Sequence, residues 1–202
     1  MFSSLRKLAA ALLLVAGSSL PSSAAPTASA VVGGFQSDLV AVMKEAKNLS
    51  PKARFDRLAP SIDRTFHVHT MIRVILGPLW GQTPPEERER LTAAFRRMSI
   101  ATVATLFDGY SGETFSVVAE GQGPQETTLV QTHLKKSDGD VIDIAYFGKS
   151  FKGEWRIVDV IVDKGISELT VRRSEYKSIL ESGGVAGLVD VLNKKADSLL
   201  AQ

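Results

Sequence analysis

The thirteen residues Trp155–Ser167, Trp-Arg-Ile-Val-Asp-Val-Ile-Val-Asp-Lys-Gly-Ile-Ser, constrain this chain more than any other stretch. A β-branched run bounded by Gly153 and Gly165 predicts a strand. Side chains alternate along a strand, so Trp155, Ile157 and Ile161 are expected on one face and Val158, Val160 and Val162 on the other. A one-sided antiparallel strand alternates apolar with polar residues. This one calls for apolar cover on both faces. Helices can cover one. The other requires an extra layer, a partner or a bound apolar molecule.

The chain start reads as a signal peptide over residues 1–30. Arg6 and Lys7 form a basic head, Leu8–Gly17 an apolar run too short to span a bilayer, and small residues follow. Ser22-Ser23-Ala24 and Ala28-Ser29-Ala30 each suit signal peptidase, which predicts export with cleavage near 24 or 30. The chain has no Cys, which excludes a lipobox and disulfides. It carries 24 Lys and Arg against 22 Asp and Glu; the leader holds two of the bases and no acid, leaving 22 of each. Such a balance offers no footprint for nucleic acid.

Residues 31–202 are of a size for one domain with a sizeable core. Helical spacing predicts helices over Ser37–Lys47, from Ser50-Pro51 past Phe55 and Leu58, over His67–Ile75, and from Thr83-Pro84-Pro85-Glu86 to Phe107. The period then changes to two. Thr114–Glu120, Thr127–Lys135, Val141–Gly148 and Trp155–Asp163 are strand candidates with short connections, as in antiparallel hairpins. Ser174–Glu181 and Val185–Leu200 close the chain as helices around Gly183-Gly184. The expected fold is α+β: a curved antiparallel sheet of about four strands packed against several helices, cone-like, with an apolar pocket between the layers.

Catalytic options are thin. There is no Cys nucleophile, no Gly-x-Ser-x-Gly elbow and no Gly-rich phosphate loop. His67 and His69 diverge on a helix, and no third ligand stands at a metal-binding spacing with them or His133, so neither metal nor cofactor is expected. Asp138-Gly139-Asp140 reads as a hairpin turn rather than a calcium loop. Asp159 stands mid-strand. It is either a structural acid held by an Arg or by backbone amides, or a general base in the pocket.

Leu76-Gly77-Pro78-Leu79-Trp80, Thr83-Pro84-Pro85-Glu86-Glu87-Arg88 with Phe95, and Tyr110-Ser111-Gly112-Glu113 resemble the first half of the MlaC/Ttg2D family. Trp155–Val160 and Gly165-Ile166-Ser167 resemble its second half, and Gly183 with Gly187-Leu188 its end. The resemblance implies a periplasmic lipid-binding protein of an ABC-transporter system, not an enzyme. Such a protein shuttles an apolar lipid between inner- and outer-membrane transport components. Arg173 keeps the family pattern, whereas Val171, Arg172 and Tyr176 depart from it. Gly165–Tyr176 resembles the hopanoid-associated HpnM branch, which implies hopanoid beside phospholipid as ligand. The partners implied are the lipid and membrane-bound transporter components, and a monomer is expected. From strand faces and helix stripes, the lipid-binding residues are expected to be Met71, Ile75, Phe107, Val117, Val130, Ile144, Tyr146, Val158 and Val160. The competing readings are a small pocket enzyme using Asp159 as base, and a transporter scaffold that carries nothing.

Overall fold

The computed structural model describes residues 25–163 and 165–202; the basic head and apolar run of the leader lie outside them. Five helices precede the sheet. The Thr27 hydroxyl accepts the Ala30 N–H and opens α1 (Ala28–Glu45). Ser50 does the same for α2 (Pro51–Thr65), with Pro51 in the first turn. Then come α3 (Val68–Leu76), the short α4 (Pro78–Gln82) and α5 (Pro85–Leu106). The strands β1 (Thr114–Gln122), β2 (Thr128–Lys135), β3 (Val141–Phe151) and β4 (Glu154–Val162) form one antiparallel sheet in chain order. The final helix is α6 (Glu168–Leu200). The α+β architecture is the expected one.

Two helix boundaries differ from the sequence expectation. α1 begins at Ala28 rather than Ser37. Gly33 and Gly34 cost helix propensity, about 1 kcal/mol each, but Ala28, Val32 and Phe35 bury one stripe and carry the helix through them. α6 begins at Glu168 rather than Ser174 and is interrupted at Gly184, where φ is +61° and ψ −161°. The glycine pair therefore breaks one long helix and does not separate two distant ones.

The decisive local feature is a β-bulge in β4. Tyr146 pairs with Val160 and Phe147 with Asp159, but Gly148 pairs with Ile157, so Val158 is the extra residue. Tyr146 and Gly148 share a face, and so therefore do Val160 and Ile157. The strict alternation expected for this strand is wrong. Trp155 and Ile157 lie with Val160 and Val162 on the helix-covered face, while Arg156, Asp159 and Ile161 turn to the other. Read with the phase slip, β4 is a one-sided strand, and no second apolar layer is required. Gly148 makes room for this. A Cβ there would lie 2.3 Å from the Trp155 indole, so only glycine lets the ring cross β3.

The free edge of β4 is partly covered. Phe66 forms a parallel bridge with Ile157, and the His67 N–H donates to the Ile157 carbonyl at 2.8 Å. Ser167 bridges to Ile161. At the other end of the sheet, Ser29 ties the start of α1 to Glu120 of β1: its N–H and Oγ donate to Oε2 at 2.8 and 2.5 Å. These two donors hold the Glu120 carboxyl below its ordinary pKa.

Side chains gather in two clusters. One packs α1 and α2 on the sheet through Phe35, Leu39, Leu58, Ile62, Val130, Tyr146 and Ile157. The other joins α3, α4, α5 and α6 through Ile72, Ile75, Trp80, Leu91, Phe95, Met98 and Leu188.

Candidate functional site

An apolar cavity of about 260 Å³ lies on the seam between the two clusters. From the sheet side it is lined by Phe35, Leu39, Ile62, Ile144, Tyr146, Val160 and Val162; from the helical side, by Met71, Phe95, Met98 and Leu169. Ser99, Thr102, Val103, Leu106 and Phe107 add one stripe of α5 and its end. Glu168 and Arg172, near the start of α6, are the charged groups in the lining. Arg172 donates to Glu175 at 2.7 Å and lies 3.5 Å from Glu168, so these charges are paired on the helix itself. Leu106, exposed at 70%, and Val162 bring apolar surface to solvent beside the cavity.

Of the residues expected to line a pocket, Met71, Phe107, Ile144, Tyr146 and Val160 do line this cavity. Four lie elsewhere. Ile75 faces into the α3–α6 cluster, one helical turn beyond Met71. Val130 is fully buried in the packing of the sheet against α1. Val117 is on the helix-facing side, paired with Thr132, but on the edge strand, where it stays 42% exposed. Val158 is the bulge residue, buried but outside the lining. Leu39 and Phe95 lie on helix stripes that periodicity shows, whereas Phe35 precedes the helix expected from Ser37; nothing in the sequence says that these residues converge on a void.

Beside the cavity wall runs a buried polar thread. Gln36 Nε2 donates to Thr132 Oγ1 at 3.0 Å and to the Tyr146 hydroxyl at 3.4 Å, and Thr132 donates to the Ile144 carbonyl at 3.2 Å. It satisfies groups that would otherwise be costly to bury and fixes α1 on β2 and β3. Burial pushes the Tyr146 hydroxyl up to about 12, so it stays protonated and is no general base at neutral pH.

Asp159 points to the face opposite Tyr146 and Val160. Its Oδ1 accepts the N–H groups of Val160 at 2.8 Å and Leu169 at 3.3 Å. A carboxylate at the start of α6 meets the positive end of the helix dipole, alongside the Ser167 cap that accepts from Thr170. Backbone amides hold this acid, one of the two structural arrangements open to it. Asp159→Ala is expected to cost about 1 kcal/mol of stability, with Asn recovering most of it and lipid content unchanged in both. Thermal melts with lipid quantification check this; lipid lost from the Asn variant would contradict it.

The histidines do not converge on a metal. His67 stacks on Phe151 with ring centroids 3.8 Å apart, and His69 meets the edge of Trp80 at 5.1 Å. Among the described residues no three His, Asp or Glu side chains come together as ligands. Asp138-Gly139-Asp140 forms the β2–β3 turn, with Gly139 at φ +95° and Asp138 accepting the Asp140 N–H. No helix among the described residues is long and apolar enough to cross a membrane.

Comparison with known proteins adds two findings. The family model described as MlaC protein matches residues 35–194. Among solved structures, a phospholipid-binding protein from Ralstonia solanacearum, determined in complex with a phospholipid, is similar with a TM-score of 0.74. It shares 18% sequence identity, and the match covers 88% of this chain and 100% of that one.

Proposed function

The chain belongs to the MlaC family, and from that membership and the geometry of the cavity we propose that it is a periplasmic lipid carrier, a binding protein rather than an enzyme. The observation that carries this reading is the apolar cavity on the seam between the sheet-side and helical clusters. Burial supplies the affinity, about 0.8 kcal/mol for each methylene removed from water. A lipid too insoluble to diffuse alone then crosses an aqueous compartment inside the protein, between membrane-bound transport components. The phospholipid bound by the Ralstonia protein supports the same ligand class here. The resemblance of Gly165–Tyr176 to the hopanoid-associated branch supports hopanoid as a second candidate. At 260 Å³ the cavity is below the roughly 300 Å³ at which drug-sized ligand sites begin. A whole lipid therefore enters by parting the two clusters along their seam.

The direct test is lipid extraction and mass spectrometry of the protein purified from its native envelope without detergent. About one lipid per chain is expected. A protein that arrives without lipid from several mild preparations would sink the carrier reading in favour of a scaffold.

Export requires removal of the leader, and we place the cut after Ala24. Residues 27–29 support this: Thr27 caps α1, Ala28 is 5% exposed in the core, and Ser29 holds Glu120. Cleavage after Ala30 would discard all three contacts. Intact-mass measurement of the exported protein is expected to give a chain beginning at Ala25.

A further inference from the structure

A second cleft, lined by both charged and apolar side chains, opens beside Phe66 and Val68. Its volume is about 600 Å³, more than twice that of the apolar cavity, and Phe66 and Val68 wall both. It gathers the end of α2, the starts of α3 and α5, and Arg156 of β4. Three guanidinium groups, Arg88, Arg96 and Arg156, face two carboxylates, Asp63 and Glu89.

Two of the three guanidinium groups are already paired. Asp63 is taken up by Arg96, which donates to both its oxygens at 2.6 Å. Arg156 donates to the Asp63 carbonyl at 2.8 Å and to Glu154 at 2.7 Å. Arg88 has no carboxylate partner among the described residues. One of its Nη atoms donates to the Gly81 carbonyl at 3.1 Å, and its Cζ lies 5.5 Å from the centroid of the Trp80 ring. Its Nε is buried with no acceptor among the described residues, an arrangement that normally costs free energy. Two helices begin here. The α5 cap, Pro84, offers no side-chain acceptor, although Glu86 and Glu87 stand in its first turn. The α3 cap is His67, whose Nδ1 accepts the Thr70 N–H at 3.2 Å and so leaves Nε2–H as the ring's donor. Burial, with smaller contributions from the nearby His69, Arg156 and Arg73, lowers the His67 pKa.

We propose that this cleft binds a phosphate-type anion. Arg88 is its principal unspent donor, and Glu89 is the carboxylate that opposes it. The planar guanidinium fork suits a phosphate's paired oxygens. Resting on the carrier reading above, the shared wall at Phe66 and Val68 lets one lipid keep its chains in the cavity and its phosphate in the cleft. Free phosphate has the same chemistry and is distinguished by experiment.

The test compares phosphatidylglycerol with a diacylglycerol of identical chains, on the mature protein and on Arg88→Gln. The wild-type protein is expected to bind the phospholipid about tenfold more tightly, and Arg88→Gln to remove most of that advantage without weakening diacylglycerol binding. Glu89→Gln, which leaves Arg88 in place, is expected to tighten the phospholipid about threefold. In parallel, inorganic phosphate is titrated into lipid-free protein while the His67 ring is followed by NMR. A saturable shift with a rise in the His67 pKa is expected, reduced in Arg88→Gln.

Equal affinity for the two lipids, unaffected by either substitution, overturns the headgroup placement and leaves the carrier reading standing. Failure of both lipids to bind defeats the carrier reading, and the phosphate titration then judges the cleft alone. A His67 response to phosphate with none to phospholipid assigns the cleft to the free anion. A His67 ring indifferent to both overturns the proposal.

Discussion

Replacing Ser99 by Trp is expected to leave the protein folded and to empty it of lipid. Ser99 lies on the α5 stripe that lines the cavity, opposite the sheet residues Ile144, Tyr146 and Val160. An indole in its place projects into the space that acyl chains would occupy. Excluding even four methylenes forfeits about 3 kcal/mol of burial, which corresponds to roughly a hundredfold loss of affinity. The added ring buries apolar surface of its own, so the melting temperature should hold or rise. Lipid mass spectrometry of the purified variant, beside a thermal melt, reads both effects. Wild-type lipid occupancy in the Trp variant would mean that the ligand lies somewhere other than this cavity.

The second large effect concerns the frame rather than the ligand. Arg54, on α2, is only 7% exposed, yet it makes no ion pair among the described residues. Its Nε donates to the Ala104 carbonyl at 2.8 Å, and its Nη1 donates to Leu49 at 2.7 Å and Ala46 at 3.3 Å. The Ala46 and Ala104 carbonyls lie at the ends of α1 and α5, where helices leave acceptors without intrahelical partners, and Leu49 closes the single turn that follows α1. One cation thus closes two helix termini and sits at the negative end of both dipoles. Arg54→Leu keeps the packing but leaves the Ala104 and Leu49 carbonyls without the guanidinium, while the Ala46 carbonyl keeps the Leu49 N–H; the expected loss is about 3 kcal/mol. For a chain of this size that is a fall of roughly 6–12 °C in melting temperature. Arg54→Lys keeps the charge without the fork and should recover only part of it. Denaturant titration measures both variants. A Leu variant within about 1 kcal/mol of wild type, or a Lys variant equal to it, would contradict the capping role.

Much of this architecture is legible in the amino-acid sequence. The Ser50-Pro51 start, the change from a period of 3.6 to a period of two after Phe107, and the short strand connections give the α+β class and the strand order, because each is a local rule about backbone and burial. The start of α1 is not legible in the same way. Gly33 and Gly34 oppose helix locally, and only the packing of Ala28 and Val32 decides otherwise. The same holds for the lining. Met71 and Ile75 read alike on one helical stripe, yet Met71 lines the cavity and Ile75 fills the helical cluster. Arg54 gives no signal at all, since its acceptors are backbone carbonyls, which every residue carries.

The strand at Trp155 divides the two kinds of information. By itself the sequence determined that this segment is extended, that it is buried, and that glycines bound it, because β-branched runs and turn residues act locally. It could not determine the phase. A single inserted residue, Val158, exchanges the faces on either side of it, and the bulge exists only through pairing with β3, where Gly148 yields to the Trp155 ring. The tertiary structure thereby turned an apparently two-faced strand into a one-faced one. It set Val160 against the cavity and gave Asp159 to the amides at the start of α6. Register is a property of two strands, and no single strand carries it.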